Sequence, residues 1–460
     1  MTPRRWLLLS VGGLVLAGGL GVIGAHGTAR AATTTTPLQH LIVLMQENHS
    51  FDNYFGTYPG ADGIPEGVCM PFDPLSSGRE CVEPFHIGDN DVELEDPDHS
   101  SATHQTQYNN GRMNGFVYAL DLRNQDGRLS MGHYDERDLP FYWNLLDEYV
   151  LFDRFFSSAA GGTFINHMYW VAGVGADERP APGELNTIIT IFDRLQEAGI
   201  DWKFYVQNYE PGLTYRTLND YPSDRAAQVA WVPLLNIDRF LDDPELAGRI
   251  VDLEEYYVDL ENGTLPAVAY IAPSGPSEHP PGSLIAGQRF VRSLIQALMR
   301  SDAWETSALM VTYDDWGGWY DHVRPPRVDR DGYGFRVPAF LVGGYARRGH
   351  IESTTLDYTS ILRFVADNWG LEPLASRDRR ASSIVGAFDF TQSPREPAFL
   401  SFERVPPEGR SEPRREVLYI AYSLALAIGL GTILLAALGA VRLEDVRRSF
   451  RFGPGRKGSP

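Results

Sequence analysis

Two acidic clusters that lie far apart in the chain contain the residue types best suited to chemistry. Each cluster follows a short apolar run, LIVLM at 41–45 and ALMVTY at 308–313. The residues concerned are Glu47 and Asn48 in the first cluster, and Asp314 and Asp315 in the second. Carboxylate and amide oxygens are the hard ligands that divalent cations accept, and such a cation is suited to phosphate chemistry. The clusters therefore predict a divalent metal site, with the identity of the metal left open.

The elements that would position these clusters are predicted from the apolar runs. A short apolar run bounded by polar residues predicts a buried strand. Further strands are predicted at 202–206, 266–271 and 337–342, and helices at 190–198, 288–299 and 359–369. This alternation predicts a mostly parallel sheet with helices on both faces. Because ligands bind beyond the carboxyl ends of such strands, both clusters are expected at one sheet edge.

The segment at 57–135 is rich in Pro, Gly, Asp and Asn and has little apolar periodicity. We expect it to form long loops that supply part of the wall of the site.

A third cluster places two glycines before a hydroxyl residue, at Gly161, Gly162 and Thr163. Glycine allows a backbone to approach an anion closely, and the N–H groups at a helix start attract phosphate. Thr163 is then a candidate nucleophile, provided that a metal lowers the pKa of its hydroxyl. The alternative is that Thr163 only caps the following helix.

Two histidines in polar segments are candidates for contact with substrate. His99 and His279 could each donate a hydrogen bond to a phosphate oxygen or a proton to a leaving group. The alternative for each is a structural histidine in a loop. Asp52 and Asp321 are expected to support the site as turn or capping residues rather than as ligands.

The order and content of these clusters resemble the phosphoesterase family of bacterial, fungal and plant non-specific phospholipases C and related acid phosphatases. The resemblance covers residues 38–370. Its most specific blocks are ENHSFD at 47–52, Gly162-Thr163 with Asn166, EHP at 278–280, and TYDD at 312–315 with Gly317-Gly318 and DHV at 321–323.

The resemblance implies an alkaline-phosphatase-like α/β/α sandwich and hydrolysis of phosphate esters through a phosphorylated hydroxyl residue. It implies that Thr163 is the nucleophile, that His99 and His279 contact the phosphate or the leaving group, and that Asn166 helps to hold the phosphate end of the site. The metal ligands that it implies are Glu47, Asn48, Asp314 and Asp315.

The chain departs from the family pattern at several positions. Asp314-Asp315 stands where the phospholipase pattern has Asp-Glu, as in the acid phosphatase branch, whereas Thr163 follows the phospholipase branch. His167 stands where Arg is frequent, and Tyr358 stands where many members have His. A phospholipase C-like phosphoesterase is the function we expect. The rival functions are an acid phosphatase-type phosphomonoesterase and a non-catalytic cell-surface binding protein.

Composition limits the function classes. A formal net charge of −20 argues against nucleic acid as a partner, because its backbone favours a basic surface. The expected partner is a phospholipid or another phosphate ester. The chain has two cysteines, Cys69 and Cys81, which with the export signal described next predict a local disulfide. Free thiols are the alternative.

The N-terminus has the order of an export signal, with Arg4-Arg5, an apolar run at 6–23 and small residues up to Ala31. Residues 1–31 are therefore predicted to be a twin-arginine-like signal. The alternative is that the apolar run stays uncleaved as an anchor.

The C-terminal part predicts a membrane anchor. The almost wholly apolar segment 417–441 is long enough to span a bilayer as a single helix. The basic tail at 442–460 is expected in the cytoplasm, which leaves the catalytic domain, 38–392, and a stalk, 393–416, outside the cell or in the periplasm.

Overall fold

The part of the chain that the structure describes contains the whole predicted site. The computed structural model describes residues 33–405 apart from 77, 79 and 89–93, together with 423, 424 and 426. The predicted export signal, the basic tail and nearly all of the predicted span at 417–441 lie outside the described residues. Within the described part, no helix combines the length and apolar character needed to cross a membrane.

Short strands build a large central sheet and three small two-stranded sheets. In chain order the strands are β1 (His40–Gln46), β2 (Met70–Pro71), β3 (Cys81–Val82), β4 (Phe85–His86), β5 (Gly132–His133), β6 (Val150–Phe152), β7 (Phe155–Phe156), β8 (Trp202–Val206), β9 (Ile250–Asp252), β10 (Val268–Ala272), β11 (Ser307–Tyr313), β12 (Ala339–Gly343), β13 (His350–Glu352) and β14 (Leu356–Asp357).

The central sheet has the strand order β13-β6-β12-β11-β1-β10-β8-β9. β1 pairs in parallel with both β10 and β11, whereas β12 is antiparallel to both of its neighbours. The prediction of an α/β fold with a mostly parallel sheet is confirmed. All five strands predicted from apolar runs are present within one or two residues of the expected bounds.

Helices connect and cover the strands. The α-helices are α1 (Phe51–Phe55), α2 (Ser101–Tyr108), α3 (Phe116–Asp121), α4 (Pro140–Glu148), α5 (Thr163–Ala172), α6 (Ile191–Glu197), α7 (Ser223–Trp231), α8 (Asp238–Asp242), α9 (Pro244–Ala247), α10 (Glu254–Asn262), α11 (Leu284–Arg300), α12 (Tyr358–Trp369) and α13 (Ser376–Arg380). Short 3₁₀ helices lie at Asn109–Gly111, Gly127–Met131, Glu184–Thr187, Leu218–Asp220, Pro233–Asn236, Asp302–Thr306 and Ile384–Ala387.

Helices pack on both faces of the sheet, as adjacent residues of β8 illustrate. Side chains alternate between the faces of a strand. The Phe204 ring packs 5.6 Å from Trp170 of α5 and 5.7 Å from Phe192 of α6, whereas the next residue, Tyr205, packs 5.6 Å from Tyr256 of α10. The three predicted helices correspond to α6, α11 and α12.

The expectation that 57–135 forms only loops is wrong, because α2 and α3 lie within it. The α2 sequence, SATHQTQY, buries Thr103, His104 and Gln107 and therefore has no apolar stripe that could reveal a helix. The same region contains the predicted Cys69–Cys81 disulfide, which joins the residue before β2 to the first residue of β3.

Candidate active site

The two acidic clusters meet at the carboxyl ends of neighbouring parallel strands. Gln46, the last residue of β1, is paired with Tyr313, the last residue of β11. The Asp314 amide donates to the Gln46 carbonyl oxygen at 3.0 Å, and the Asn48 amide donates to Asp314 Oδ1 at 3.0 Å. Both clusters are therefore held side by side at one edge of the sheet.

The turns that follow the two strands fit together closely. Asn48 has a φ of 63°, a left-handed conformation that asparagine tolerates better than most residues. Gly317 has a φ of 59°, and a Cβ atom there would lie 2.1 Å from the Asn48 carbonyl oxygen. The Gly317 amide donates to Asp315 Oδ1 at 2.8 Å. Glycine at 317 therefore lets the Asp315 turn pass beside Asn48.

The donor set at this edge fits a divalent cation. The four predicted ligands are fully buried, and each has one oxygen without a hydrogen-bond partner: Glu47 Oε2, Asn48 Oδ1, Asp314 Oδ2 and Asp315 Oδ2. The pKa values of Glu47 and Asp315 are both raised well above their ordinary values. Burial is the larger cause, and the neighbouring Asp314 carboxylate is the next. Buried like charges with free oxygens are costly unless a cation neutralises them. Glu47 and Asp314 belong to a close group of potential ligand atoms that is suited to hold one, whereas metal binding by Asn48 and Asp315 stays a prediction.

His167 of α5 joins this cluster, a placement that the local sequence did not predict. Its Nε2 lies 3.3 Å from Glu47 Oε1, and potential ligand atoms of His167, Glu47 and Asp314 all lie within 4.8 Å of one another. Burial lowers the pKa of His167 to about 4, so the ring is neutral at neutral pH. Its position four residues after Thr163, on the same helix face, was the available signal.

Thr163 begins helix α5 and lines a cavity that His99 and Asp96 also line. The N-cap of α5 is Gly162, and Thr163 is the first helical residue, so its hydroxyl does not cap this helix. Together with Gly162, it lines a cavity of about 870 Å³. Thr163 thus lies on the helix face that also carries His167, one helical turn before the residue that contacts Glu47.

Asn166 shapes the loop that precedes the helix. Its Oδ1 accepts from the Ala159 amide at 3.0 Å, and its Nδ2 donates to the carbonyl oxygens of Gly161 and Gly162 at 3.1 and 3.0 Å. The side chain is fully buried. Contact between Asn166 and substrate stays a prediction, whereas its contact with the loop beside Thr163 is observed.

His99 lines the cavity, and the His279 ring lies near it, with ring centroids 6.1 Å apart. Each Nδ1–H donates to a nearby carbonyl oxygen, that of Pro97 at 2.8 Å and that of Pro280 at 2.7 Å. The Nε2 atoms are therefore the ones available to the site. His99 Nε2 lies 3.3 Å from Asn48 Nδ2.

Carboxylates surround these histidines. Burial lowers the pKa of His99, but the Asp315 and Asp96 carboxylates outweigh it and raise the pKa to about 9. A bound cation would offset part of this effect. Asp96 lies 3.7 Å from His99 Nδ1 and 3.9 Å from His279 Nε2. Glu178, also on the cavity wall, accepts from the Phe164 and Ile165 amides near the start of α5. The sequence did not single out Asp96 or Glu178.

Asp52 and Asp321 support the two ligand-bearing turns, in agreement with the role predicted for them. The fully buried Arg336 donates to Asp52 Oδ1 at 2.9 Å and to Asp321 Oδ1 at 3.0 Å. His322 Nδ1 lies 2.7 Å from Asp52 Oδ2. Potential ligand atoms of Asp52, Asp321 and His322 lie within 4.8 Å of one another, but the Arg336 guanidinium already neutralises both carboxylates.

Tyr358, where many family members have histidine, contacts the end of β11. Its hydroxyl donates to the carbonyl oxygens of Tyr313 and Asp314. The side chain is fully buried and thus holds the backbone that carries the Asp314 carboxylate.

Comparison with known proteins identifies the family. The model of the Phosphoesterase family matches residues 38–372. The chain belongs to this family. It is 28% identical over 442 residues to phospholipase C B of Mycobacterium tuberculosis, covering 80% of this chain and 81% of the relative. It is 27% identical over 435 residues to non-specific phospholipase C6 of Arabidopsis thaliana, covering 83% of this chain and 78% of the relative.

Among solved structures, an alkaline phosphatase superfamily protein from Vibrio parahaemolyticus matches with a TM-score of 0.36 and 11% identity, covering 75% of this chain and 72% of that one. Family membership and the phospholipase C relatives make this phosphoesterase a hydrolase acting on phosphoric esters.

Proposed function

We propose that the protein is an exported, membrane-anchored and metal-dependent phospholipase C-like hydrolase that acts through a phosphothreonine intermediate. The observation that carries the proposal is the set of unpartnered, fully buried oxygens contributed by two distant segments beside the helix that Thr163 begins. The phospholipase C relatives support a phosphate ester or phospholipid as substrate. The alkaline-phosphatase-like resemblance is consistent with this chemistry.

The proposed reaction begins with Thr163. A divalent cation, when bound by the acidic cluster, would lower the pKa of the threonine hydroxyl and neutralise charge on the phosphate. Thr163 Oγ1 forms a bond to phosphorus while the bond from phosphorus to the alcohol oxygen breaks. The threonine proton passes to water. Water then attacks the phosphothreonine, which releases the phosphate product and restores the hydroxyl.

The leaving alcohol needs a proton, which His279 or His99 would give. Because each Nδ1–H is held by a backbone carbonyl, the atom that transfers the proton is Nε2. The Asn166 contacts hold the backbone at 159–162, so Thr163 starts its helix in one fixed place. Catalysis of this kind depends on such fixed placement.

A substrate panel tests the proposed activity. Full-length protein in detergent would be stripped with a chelator, reloaded with single divalent metals, and given phosphatidylcholine, an aryl phosphodiester and an aryl phosphomonoester. We expect metal-dependent release of the phosphorylated head group from the lipid. Hydrolysis of the monoester alone would favour the rival function of a phosphomonoesterase. If no ester is hydrolysed, the rival function of a non-catalytic binding protein would be favoured.

The proposed location rests on the terminal segments, which lie outside the described residues. The apolar segment 417–441 and the basic residues after it support an anchor with the catalytic domain outside. Protease added to intact cells should digest the catalytic domain and leave a protected tail fragment. Protection of the whole chain would contradict this topology.

A further inference from the structure

A buried glutamate next to His279 has no part in the reaction proposed above. Glu278 is fully buried, and its carboxylate accepts hydrogen bonds from three tyrosine hydroxyls. Tyr54 of α1 and Tyr313 of β11 each donate to Oε2 at 2.6 Å, and Tyr142 of α4 donates to Oε1 at 2.5 Å. One carboxylate thus joins three separate elements, two of which adjoin the ligand-bearing turns.

The backbone of the same segment is tied to the end of β1. The Glu47 amide donates to the Ser277 carbonyl oxygen at 3.2 Å, and His49 Nε2–H donates to the Glu278 carbonyl oxygen at 3.0 Å. The His279 amide donates to Ser277 Oγ at 3.3 Å. Hydrogen bonds to the backbone of segment 277–279 and to the buried side chain of Glu278 therefore both fix this segment.

Several features of this arrangement oppose stability. Glu278 has a φ of 66°, a left-handed conformation that is strained for glutamate. Burial raises the pKa of its carboxyl to about 7, so ionisation here is costly. Gly287 lies inside α11, where glycine is unfavourable, and a Cβ atom at that position would lie 2.0 Å from Glu278 Cγ. The backbone strain would remain with any residue other than glycine, but an apolar side chain of similar size would avoid burying an ionisable carboxyl, so stability alone does not explain Glu278.

We propose that Glu278 is a positioning residue that fixes the imidazole of His279 relative to the ligand-bearing ends of β1 and β11. The inference rests on the proposed function, in which His279 contacts the phosphate or protonates the leaving group. Glu278 does not touch the substrate. It acts through the tyrosine hydroxyls, which set the backbone from which the His279 ring projects.

The test compares two tyrosine-to-phenylalanine changes. Tyr142→Phe removes one hydroxyl from Glu278, whereas Tyr256→Phe removes a buried hydroxyl that donates to the Leu294 carbonyl oxygen at 3.2 Å, away from this segment. Both variants should melt at a slightly lower temperature. Only Tyr142→Phe should lower kcat, by about 10-fold or more, with KM and bound metal unchanged.

A double-mutant cycle identifies the residue through which Glu278 acts. Glu278→Gln should lower kcat in the parent and have no further effect in a His279→Ala background. Losses that multiply in the double variant would overturn the proposal, as would a Tyr142→Phe variant with lower melting temperature and parental kcat. If Glu278→Gln does not fold, the same cycle is run with Tyr142→Phe.

A readout without turnover separates this inference from the proposed function. The ring NMR signals of His279 should shift in full-length Tyr142→Phe and stay unchanged in Tyr256→Phe. If the parent protein has no activity but the His279 signals shift in this pattern, the proposed function is wrong and the positioning role of Glu278 is retained. Unchanged His279 signals in both variants would remove the positioning role.

Discussion

The amide of Asn48 donates a hydrogen bond to the carboxylate of Asp314 at 3.0 Å, although the two residues are 266 positions apart in the chain. This bond closes the edge where β1 and β11 end, and it uses Asp314 Oδ1 while leaving Oδ2 without a partner. The same group that joins the two turns is therefore still able to bind a cation. Folding of the central sheet and assembly of the candidate metal site are consequently coupled.

The first prediction concerns metal content. Glu47→Ala and Asp314→Ala should each lose bound metal and activity together, because each removes a buried oxygen ligand from one side of the cluster. Glu255→Ala, an exposed acidic residue of α10, is the matched control and should keep both. Elemental analysis and turnover would be measured on the same samples. Normal metal content and activity in either ligand variant would remove that residue from the site.

A second prediction follows from the crowding of like charges. Asp315→Asn keeps the size of the side chain and the oxygen that accepts from Gly317, but removes one buried negative charge. After chelation the variant should melt at a higher temperature than the parent, since repulsion with Asp314 is relieved. After reloading with metal, the melting temperature of the parent should rise by more than that of the variant. Melting curves with and without metal measure both effects, and an equal gain from metal in the two proteins would contradict this role for Asp315.

A third prediction concerns the loop before Thr163. Asn166→Asp keeps the acceptor oxygen but cannot donate to Gly161 and Gly162, so a loss of about 1–3 kcal/mol in the free energy of unfolding is expected. Displacement of the loop should also lower kcat about 100-fold. Asn236→Asp, which loses a bond to the Val229 carbonyl oxygen, should reduce stability and leave kcat unchanged. Parental kcat in Asn166→Asp would show that the loop does not position the nucleophile.

Acid sensitivity provides a fourth prediction. Burial lowers the pKa of His104 from 6.5 to about 3, with the ring stacked 4.2 Å from Phe335. Between these pH values His104 binds a proton in the unfolded chain but not in the folded chain. The free energy of unfolding is therefore highest above pH 6.5, as far as this residue is concerned, and declines as the pH falls below that value. The decline attributable to this residue is about 1.4 kcal/mol per pH unit. Urea unfolding at several pH values should show a shallower decline in His104→Gln. An unchanged slope would contradict the assignment.

The sequence was sufficient to predict the sheet centre and the two acidic turns. The apolar runs before Glu47 and Asp314 are long enough to reveal buried strands, and parallel strands end at the same edge. Strands β6, β9 and β13 were missed because three residues show no periodicity. Helix α2 was missed because its buried positions are polar.

Residues that reach the site from other elements leave little local signal in the sequence. His167 lies in an apolar helix, and only the packing of α5 against the end of β1 brings its ring to Glu47. Asp96 and Glu178 belong to loops whose paths depend on the whole fold. Tertiary packing determines such contacts, whereas sequence spacing specifies only neighbours within one element.

The role of Thr163 separates the covalent mechanism from direct attack by water. Thr163→Ser should retain measurable activity because a primary hydroxyl can still attack phosphorus. Thr163→Val, similar in size but without the hydroxyl, should lose several orders of magnitude in rate. Because Gly162 and not Thr163 caps α5, both variants should fold normally, and each should bind metal.

The decisive measurement is the turnover of a phosphodiester by folded, metal-loaded Thr163→Val, with melting temperature and metal content determined on the same sample. A rate several orders of magnitude below that of the parent is the expected result. A rate near that of the parent would contradict the phosphothreonine intermediate and favour direct attack by water.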